Sequence, residues 1–290
     1  MLGNLINGIS LGSIYAIIAL GYTMVYGIAK MLNFAHGDVI MVGAYIAFYS
    51  ISYFGMPALP ALLLSIVVCT VLGIGIEKLA YKPLRNATSL AVLITAIGVS
   101  YFLQNAALLL WTSNTKVFPN IFANVGAIKL GSVQIAPVTL VTVFANIVIM
   151  LVLTLFTSKT KMGKAMRAVS EDKGAATLMG INVDRTISLT FAIGSGLAAI
   201  AGVLLCTAYP TLMPTTGSMP GIKAFTAAVF GGIGSIPGAM LGGILLGVIE
   251  IFAKAYISTQ LSDAIVFAVL IIVLIVKPSG LLGRKVNEKV

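Results

Sequence analysis

The feature that most constrains this chain is a series of long apolar stretches separated by short polar segments. Each stretch is about 16–25 residues long, the length an α-helix needs to cross a hydrocarbon core roughly 30 Å thick. Only 9% of the residues are charged, whereas soluble domains carry about 25%. The pattern therefore predicts an all-α, polytopic integral membrane helix bundle and argues against a soluble fold.

About 8–9 transmembrane segments are expected. The apolar stretches are 5–28, 36–54, 58–76, 89–111, 135–157, 186–209, 222–236, 238–257 and 261–276. The stretch 222–236 is short and is interrupted by glycines, which predicts a half-helix or a re-entrant segment. Broken backbone at membrane depth is tolerated only where it is buried in protein or lines a cavity.

Lysine and arginine concentrate in three polar segments, which are 77–87, 158–185 and the tail from Lys277. The positive-inside rule places all three in the cytoplasm and accounts for the net charge of +10 without nucleic-acid binding. The 112–134 loop has two lysines and should face outward. Three full crossings before residue 77 would put the N-terminus outside, and a turn within the membrane at 29–38 would reverse this. We expect a single transmembrane domain over 1–290.

The chain's only histidine lies in a polar break between two apolar stretches. The break reads Asn33-Phe34-Ala35-His36-Gly37-Asp38. Because ionisable groups are costly at membrane depth, one interpretation is a gap between half-helices that lines a translocation path. The other is an interfacial turn in which Asp38 caps the next helix and His36 faces headgroups. The spacing leaves both open, and no partner ligands for His36 occur at metal-site spacing.

A second break lies near the C-terminus, and it is rich in glycine. Its candidate path residues are Gly231, Gly232, Gly234, Pro237 and Gly238. It resembles the 33–45 segment in placing a glycine-containing break before a new apolar helix, which suggests an inverted repeat. Gly234, Gly238 and Gly242 recur every four residues, and this spacing is equally typical of close helix packing.

The 158–185 loop is the longest polar segment. Residues 168–179 are predicted to form one helix that ends at Gly180, with apolar side chains on a common face. Such a helix could dock in a groove of a partner or lie on the bilayer. The candidate coupling residues are Arg167, Glu171, Asp172, Lys173, Ala175, Ala176 and Gly180.

Catalytic chemistry is not indicated. No phosphate-binding loop of the form G-x-x-x-x-G-K-[ST] occurs, so this chain should not hydrolyse ATP by that mechanism. Glu250 and Lys254 are spaced to neutralise each other on one helix. A proton relay would need a longer series of such groups.

Together these residues resemble the LivH-type permeases of branched-chain amino-acid ATP-binding-cassette importers, over nearly the whole chain. The resemblance rests on the order of many short motifs, which include Gly12-Ser13-Ile14-Tyr15-Ala16, Asn33-Phe34-Ala35-His36-Gly37, Lys82-Pro83-Leu84-Arg85, Leu178-Met179-Gly180-Ile181-Asn182, Gly231-Gly232-Ile233-Gly234-Ser235-Ile236-Pro237-Gly238 and Lys277-Pro278-Ser279-Gly280-Leu281.

The resemblance implies uptake of leucine, isoleucine or valine by alternating access, across a bacterial cytoplasmic (inner) membrane. It implies a second, related permease subunit, two ATP-binding subunits that use ATP and Mg, and an extracytoplasmic substrate-binding protein. It also implies that the 158–185 loop is a coupling loop, although Gly174 stands at the acidic position of the family's pattern. Two alternatives remain open, namely a permease for another small solute such as urea or a short amide, and an ATPase-independent secondary carrier.

Overall fold

The computed structural model describes residues 1–85, 87–122, 126–130 and 133–283. The helices are α1 (Leu2–Ala29), α2 (His36–Ser52), α3 (Ala58–Ile76), α4 (Ser89–Trp111), α5 (Pro137–Lys159), α6 (Lys161–Glu171), α7 (Lys173–Leu178), α8 (Val183–Ala208), α9 (Ser218–Gly231), α10 (Ile236–Tyr256) and α11 (Ser262–Val276). A π-helical turn (Glu77–Tyr81) and a 3-10 turn (Lys82–Leu84) extend α3. Two short antiparallel pairs join β1 (Lys116–Val117) to β4 (Thr211–Leu212), and β2 (Ile128–Leu130) to β3 (Val133–Ile135).

The predicted helix bundle is confirmed. Six helices, α1, α3, α4, α5, α8 and α10, are long and apolar enough to cross a membrane. Three apolar helices are shorter, with 17 residues in α2, 14 in α9 and 15 in α11. The segment predicted at 222–236 is shifted, because α9 begins at Ser218 and ends at Gly231. Gly232 and Gly234 have positive φ angles of 104° and 92°, which glycine adopts without strain and which end the helix.

The basic loops meet at one end of the bundle, as predicted. Lys173 of the 158–185 loop donates a hydrogen bond to the carbonyl of Ala29, and Arg85 of the 77–87 loop contacts Asp184. The opposite end carries the β1–β4 pair, which joins the segment after α4 to the segment after α8. We assign the basic end to the cytoplasm. Since α1 ends there at Ala29, the N-terminus lies at the outer end, as three full crossings require.

Burial distinguishes central helices from peripheral ones. In α1, 94% of the most apolar window is buried, and in α4 and α5 only 22% is. The centre depends on glycines that bring α1 and α10 into backbone contact. A Cβ at Gly12 would lie 2.6 Å from the Cα of Ile244, and one at Gly8 would lie 2.8 Å from the Cα of Val248. The structure thus uses small residues for close packing, as expected in a membrane.

The cytoplasmic loop differs from its prediction. The expected single helix over 168–179 is divided into α6 and α7 at Asp172. Asp172 has extended backbone angles, and its Oδ1 accepts a hydrogen bond of 2.9 Å from the amide of Ala175. Asp172 therefore caps a new helix instead of continuing the old one. Gly180 ends α7 with a φ of 79°, as predicted.

Candidate functional site

The polar break before α2 is held inside the bundle. Lys30 ends α1 in a left-handed conformation with a φ of 58°. Asn33 is buried, and its Oδ1 accepts a hydrogen bond of 3.0 Å from the hydroxyl of Tyr81, beyond α3. This bond ties the chain between α1 and α2 to the cytoplasmic end of α3. The sequence singled out Asn33, but nothing in the spacing pointed to Tyr81.

His36 lies in the core at the start of α2, with only 1% of its surface exposed. Its ring lies 4.5 Å from that of Tyr22, between centroids, and a Cβ at Gly21 would lie 2.6 Å from its Nε2. Among the residues the structure describes, neither ring nitrogen has a hydrogen-bond partner. His36 therefore does not face headgroups, and the interpretation as an interfacial turn does not hold.

Asp38 lies in the first turn of α2 and is also buried, with 2% exposed. Its Oδ1 accepts a hydrogen bond of 2.9 Å from Nε2 of Gln104, on α4. The same nitrogen lies 3.3 Å from the hydroxyl oxygens of Ser100 and Ser218. Gln104 thus joins the starts of α2 and α9.

Two glycines let the first turns of α2 and α9 touch. A Cβ at Gly37 would lie 2.7 Å from the carbonyl oxygen of Gly217, and one at Gly221 would lie 2.9 Å from the Cα of Gly37. Substitution at either position would separate the two helix starts. Each first turn carries the partial positive charge of a helix N-terminus, so this charge accumulates where the two turns touch.

Three members of this cluster were missed by the sequence reading, namely Ser100, Gln104 and Ser218. Gln104 is an uncharged polar residue in the middle of an apolar stretch, and that signal could have marked it. Ser218 could not be found in the same way, because the predicted segment began four residues later, at 222. We define the start-to-start cluster as Asp38, Ser100, Gln104 and Ser218.

The second glycine-rich break does not join this cluster. The break over 231–238 follows α9, whose 14 residues separate its two ends by about 20 Å. A Cβ at Gly231 would collide with the carbonyl oxygen of Gly238, and one at Gly232 would collide with Gly283. The C-terminal segment is also attached to this end of α9. The backbone amides of Leu281 and Leu282 donate hydrogen bonds to the carbonyls of Phe230 and Gly231, respectively.

The expectation that both breaks line one cavity is therefore corrected. Gly231, Gly232 and Gly238 are buried in backbone contacts, whereas Gly234 and Pro237 are exposed at the cytoplasmic end. The start of α2 meets the start of α9 instead. The resemblance between segments 33–45 and 231–247 therefore does not identify the segments that come together.

A buried ionic network surrounds Glu250. The expected pair with Lys254 forms at 2.6 Å, and Lys223 of α9 lies 2.9 Å from the same Oε1 atom. Lys223 also contacts Asp263 of α11 at 2.6 Å, and the hydroxyl of Tyr15 donates a bond of 2.9 Å to Glu250. One lysine on the short helix α9 thus connects it to α10 and α11.

A second network lies at the cytoplasmic end. Arg85 contacts both Glu77, which is fully buried, and Asp184. Lys82 lies 2.8 Å from Asp184, and the hydroxyl of Ser188 lies 2.5 Å from Glu77. These contacts clamp the end of α3 to the start of α8. An open groove of about 520 Å³ lies beside them.

The predicted coupling residues lie close together in sequence but differ in exposure. Glu171, Asp172, Ala175 and Gly180 are exposed, whereas Ala176 is 3% exposed and packs inward. Burial and the nearby charges of Arg85 and Lys30 lower the pKa of Lys173. Arg167 donates a hydrogen bond of 3.3 Å to the carbonyl of Ser158.

The apolar surface of α7 lies at its end. Leu178 is 90% exposed and Met179 is 81% exposed. Two large apolar side chains on a polar cytoplasmic loop are typical of a surface that is covered by a partner. Ala175, three residues before Leu178, is exposed as well.

The fold and the start-to-start cluster define a polytopic helical membrane protein with ionisable groups buried between broken helices, the arrangement found in transporters. Residues 4–274 match the family described as branched-chain amino acid transport system / permease component. The chain belongs to this family.

Relatives match along almost the whole chain. The high-affinity branched-chain amino acid transport system permease protein LivH of Salmonella typhimurium is 47% identical over 300 residues, covering 100% of this chain and 97% of that protein. The permease protein BraD of Pseudomonas aeruginosa is also 47% identical, with coverage of 100% and 98%. A probable LivH of Methanocaldococcus jannaschii is 29% identical, with coverage of 93% and 89%. These relatives are transport permease components and not enzymes.

Proposed function

We propose that this chain is the membrane-spanning permease subunit of an ATP-binding-cassette importer that moves leucine, isoleucine and valine into the cell. The observation that carries this proposal is the identity of 47%, over the whole chain, to permease proteins of branched-chain amino-acid transport systems. The complex would lie in a bacterial cytoplasmic membrane, and this chain would form one transmembrane domain in it.

The energy for transport would come from partner subunits. The sequence has no phosphate-binding loop, so ATP and Mg would be bound by two separate ATP-binding subunits. A second, related permease subunit and an extracytoplasmic substrate-binding protein would complete the importer. Mild-detergent purification of the tagged chain from native membranes, with mass spectrometry and an ATPase assay, tests this composition.

The end of α7 is our candidate for the contact with an ATP-binding subunit. Leu178 and Met179 are exposed side by side, and Gly180 ends the helix so that they project from the loop. The hydrogen bond that Lys173 donates to the carbonyl of Ala29 connects the same loop to the end of α1. A movement of α7 would therefore reach α1, which lies in the centre of the bundle.

We predict that Leu178→Arg removes the ATP-binding subunit from the purified complex and lowers leucine uptake at least about tenfold. A charge placed in a desolvated apolar contact costs several kcal/mol. Leu178→Met, which keeps the apolar contact, should behave like the unmodified chain. Ala176→Arg is a poor test, because Ala176 is buried and its replacement would disturb the loop itself. Full uptake by the Leu178→Arg variant would contradict docking through α7.

The translocation path would pass the start-to-start cluster. In an alternating-access cycle, the bundle would open this region first to the outside and then to the cytoplasm. Asn33, His36, Gly37 and Asp38 would lie along the path at the start of α2, where amide groups of the helix favour a substrate carboxylate. In this structure an apolar cluster that includes Tyr45, Trp111 and Leu212 covers the outer side.

The alternatives have distinct outcomes in the same purification. If the chain purifies alone, and proteoliposomes containing only this chain transport leucine along an ion gradient, it is a secondary carrier. If the complex forms but urea or a short amide competes with leucine for uptake, the substrate class is different. Co-purification of a second permease and an ATPase, with uptake of leucine alone among these solutes, supports the importer.

A further inference from the structure

Three carboxylates are buried in the part of the chain that the structure describes, and they differ in their partners. They are Asp38, Glu77 and Glu250. Glu77 is paired with Arg85, and Glu250 is paired with Lys223 and Lys254. Asp38 has no Lys, Arg or His nitrogen within 4 Å among those residues, and its Oδ2 makes no hydrogen bond. A buried carboxylate without a cation is costly, so its retention needs a reason.

The position of Asp38 in the membrane favours a bound ligand as its partner over a permanently bound structural cation. Its partner Gln104 lies about 22 Å along α4 from Ser89 and about 10 Å from Trp111, at about 1.5 Å per residue. Asp38 thus lies inside the bundle, about two turns of α4 from its outer end, and is only 2% exposed. Protonation would not remove the problem, because a protonated Oδ2 would be an unpartnered donor instead of an unpartnered acceptor.

The surroundings hold the carboxylate in place while leaving one oxygen free. Gln104 fixes Oδ1, and the N-terminal turns of α2 and α9 supply partial positive charge that favours the ionised form. The one lysine on these two helices, Lys223 of α9, is already paired with Glu250 and Asp263. The site therefore holds a carboxylate whose Oδ2 has no partner among the described residues and is left for a cation from outside the chain.

Aromatic rings lie near the first turns of α2 and α9. A Cβ at Gly221 would lie between the Cα of Gly37 and the hydroxyl of Tyr22, at 2.9 and 3.5 Å. The ring of Phe225 lies 5.7 Å from that of Tyr22 and 6.2 Å from that of Phe34. A cation-binding oxygen beside an apolar wall matches a ligand that has an ammonium group on a branched hydrocarbon.

We propose that Oδ2 of Asp38 binds the α-ammonium group of the transported amino acid, with Gln104 and Ser218 holding the carboxylate and the start of α9 in position. This inference rests on the proposed function. The ammonium group reaches Asp38 when the cluster around Tyr45 and Trp111 opens. The charge of the ligand then completes an ion pair like those of the other two buried carboxylates.

The test uses the complete complex in proteoliposomes, with its binding protein, and measures uptake of labelled leucine and ATP hydrolysis. Because the external binding protein captures the substrate first, its affinity should dominate KM, and Asp38 should act on kcat. Asp38→Asn should lower kcat for uptake about 10- to 100-fold, the loss expected for one charge-assisted hydrogen bond. KM should stay close to that of the unmodified complex, because the binding protein sets it. Asp38→Glu, which keeps the charge, should retain more uptake than Asp38→Asn.

Adjacent residues on α4 provide a matched control pair. Gln104→Leu releases the carboxylate and should lower kcat severalfold without changing any charge. Asn105 is exposed, and among the described residues its amide bonds only to the carbonyl of Tyr101, so Asn105→Leu should match the unmodified complex. If Asp38→Asn fails to assemble, the Gln104→Leu and Asn105→Leu pair decides the question, and equal uptake by the two would overturn the proposal.

Two further outcomes separate this inference from its alternatives. Uptake by the Asp38→Asn complex within about twofold of the unmodified rate would overturn the role of Asp38 while leaving the importer in place. A requirement for Na⁺ or a proton gradient in the unmodified complex would also overturn it, because Asp38 would then bind a coupling ion. No leucine uptake by the unmodified complex, despite assembly and ATP hydrolysis, would instead refute the proposed function.

Discussion

At the scale of single residues, Lys223 makes the most demanding contact in the bundle. It is buried on the short helix α9 and lies between carboxylates of two other helices, Glu250 and Asp263. Removing one member of a buried ion pair leaves the other charge without compensation, which costs about 3–5 kcal/mol. Lys254 also contacts Glu250, but its side chain is 36% exposed. Water can therefore replace part of the stabilisation that Lys254 gives to the charge of Glu250.

We predict that Lys223→Met lowers the unfolding temperature of the detergent-purified protein more than Lys254→Met does. Lys223→Met leaves Asp263 without its partner and Glu250 with only one lysine. Adding Glu250→Gln to Lys223→Met should recover part of the loss, because it removes one of the stranded charges. Thermal unfolding followed by tryptophan fluorescence or thiol labelling measures this, and equal effects of the two lysine substitutions would contradict it.

At the scale of helices, the contact between α1 and α10 depends on residues without a side chain. Gly12 lies against the backbone of Ile244, and Gly247 lies against the backbone of Gly12. In lipid, helices gain no stability from excluding water, so such close packing is a main source of cohesion. Not every glycine in the bundle has such a role. Among the residues that the structure describes, a Cβ at Gly75 of α3 would meet no atom within 4 Å.

We therefore predict opposite results for two glycine-to-alanine substitutions. Gly12→Ala should force α1 and α10 apart, lower the unfolding temperature and reduce the amount of protein in the membrane. Gly75→Ala should leave both unchanged or slightly raised, since alanine has the higher helix propensity. Quantitative immunoblotting and thermal unfolding of both variants provide the comparison. Loss of the Gly75→Ala protein would show that this face is covered in the complex.

At the scale of the whole molecule, the topology is inferred from the loops that lie together at each end of the bundle. The basic loops and the end of α1 lie at one end, and the β1–β4 pair lies at the other. The short helix α9 and the segment before it together return the chain from the outer to the cytoplasmic end. Within the described ranges, six long and three shorter apolar helices run between the two ends, and the segment after α11 returns to the end of α9 at the basic side.

Thiol labelling tests this topology with little background. The native cysteines, Cys69 and Cys206, are both buried and unpaired. A membrane-impermeant thiol reagent should label Leu2→Cys in right-side-out spheroplasts. It should label Ala87→Cys only in inside-out vesicles, because Ala87 lies on the basic side. Labelling of both variants from the same side would contradict the assignment of the ends.

Much of the fold was accessible from the sequence, because a helix in lipid must satisfy its own backbone and must be long and apolar to do so. The ends of α2, α3, α4 and α11 were predicted within about two residues, the usual uncertainty of helix boundaries. The 168–179 segment was predicted as one helix, because periodicity does not reveal that the Asp172 side chain caps a new one. Likewise, the start of α9 was missed because residues 218–221 are not strongly apolar.

The candidate site was accessible only in part. Asn33, His36 and Asp38 were recognisable because polar groups at membrane depth are rare. Gln104 contacts Asp38, which is 66 positions away in the sequence, and Ser218, which is 114 positions away. No local pattern predicts contacts over such separations. The glycines at 231–238 were expected at the site and instead pack the cytoplasmic end. A glycine that permits a turn and one that permits close packing look alike in a sequence.

The sequence by itself determined that this chain crosses a membrane many times and to which family it belongs, and it predicted that the basic loops share one side. These properties depend on hydropathy, charge and ordered motifs along the chain. Only the tertiary structure decided that the starts of α2 and α9 meet at Asp38, that Lys223 connects three helices, and that Ala176 is buried while Leu178 is exposed. These facts depend on packing between segments distant in sequence, where a single Cβ or one hydrogen bond decides which helices can touch.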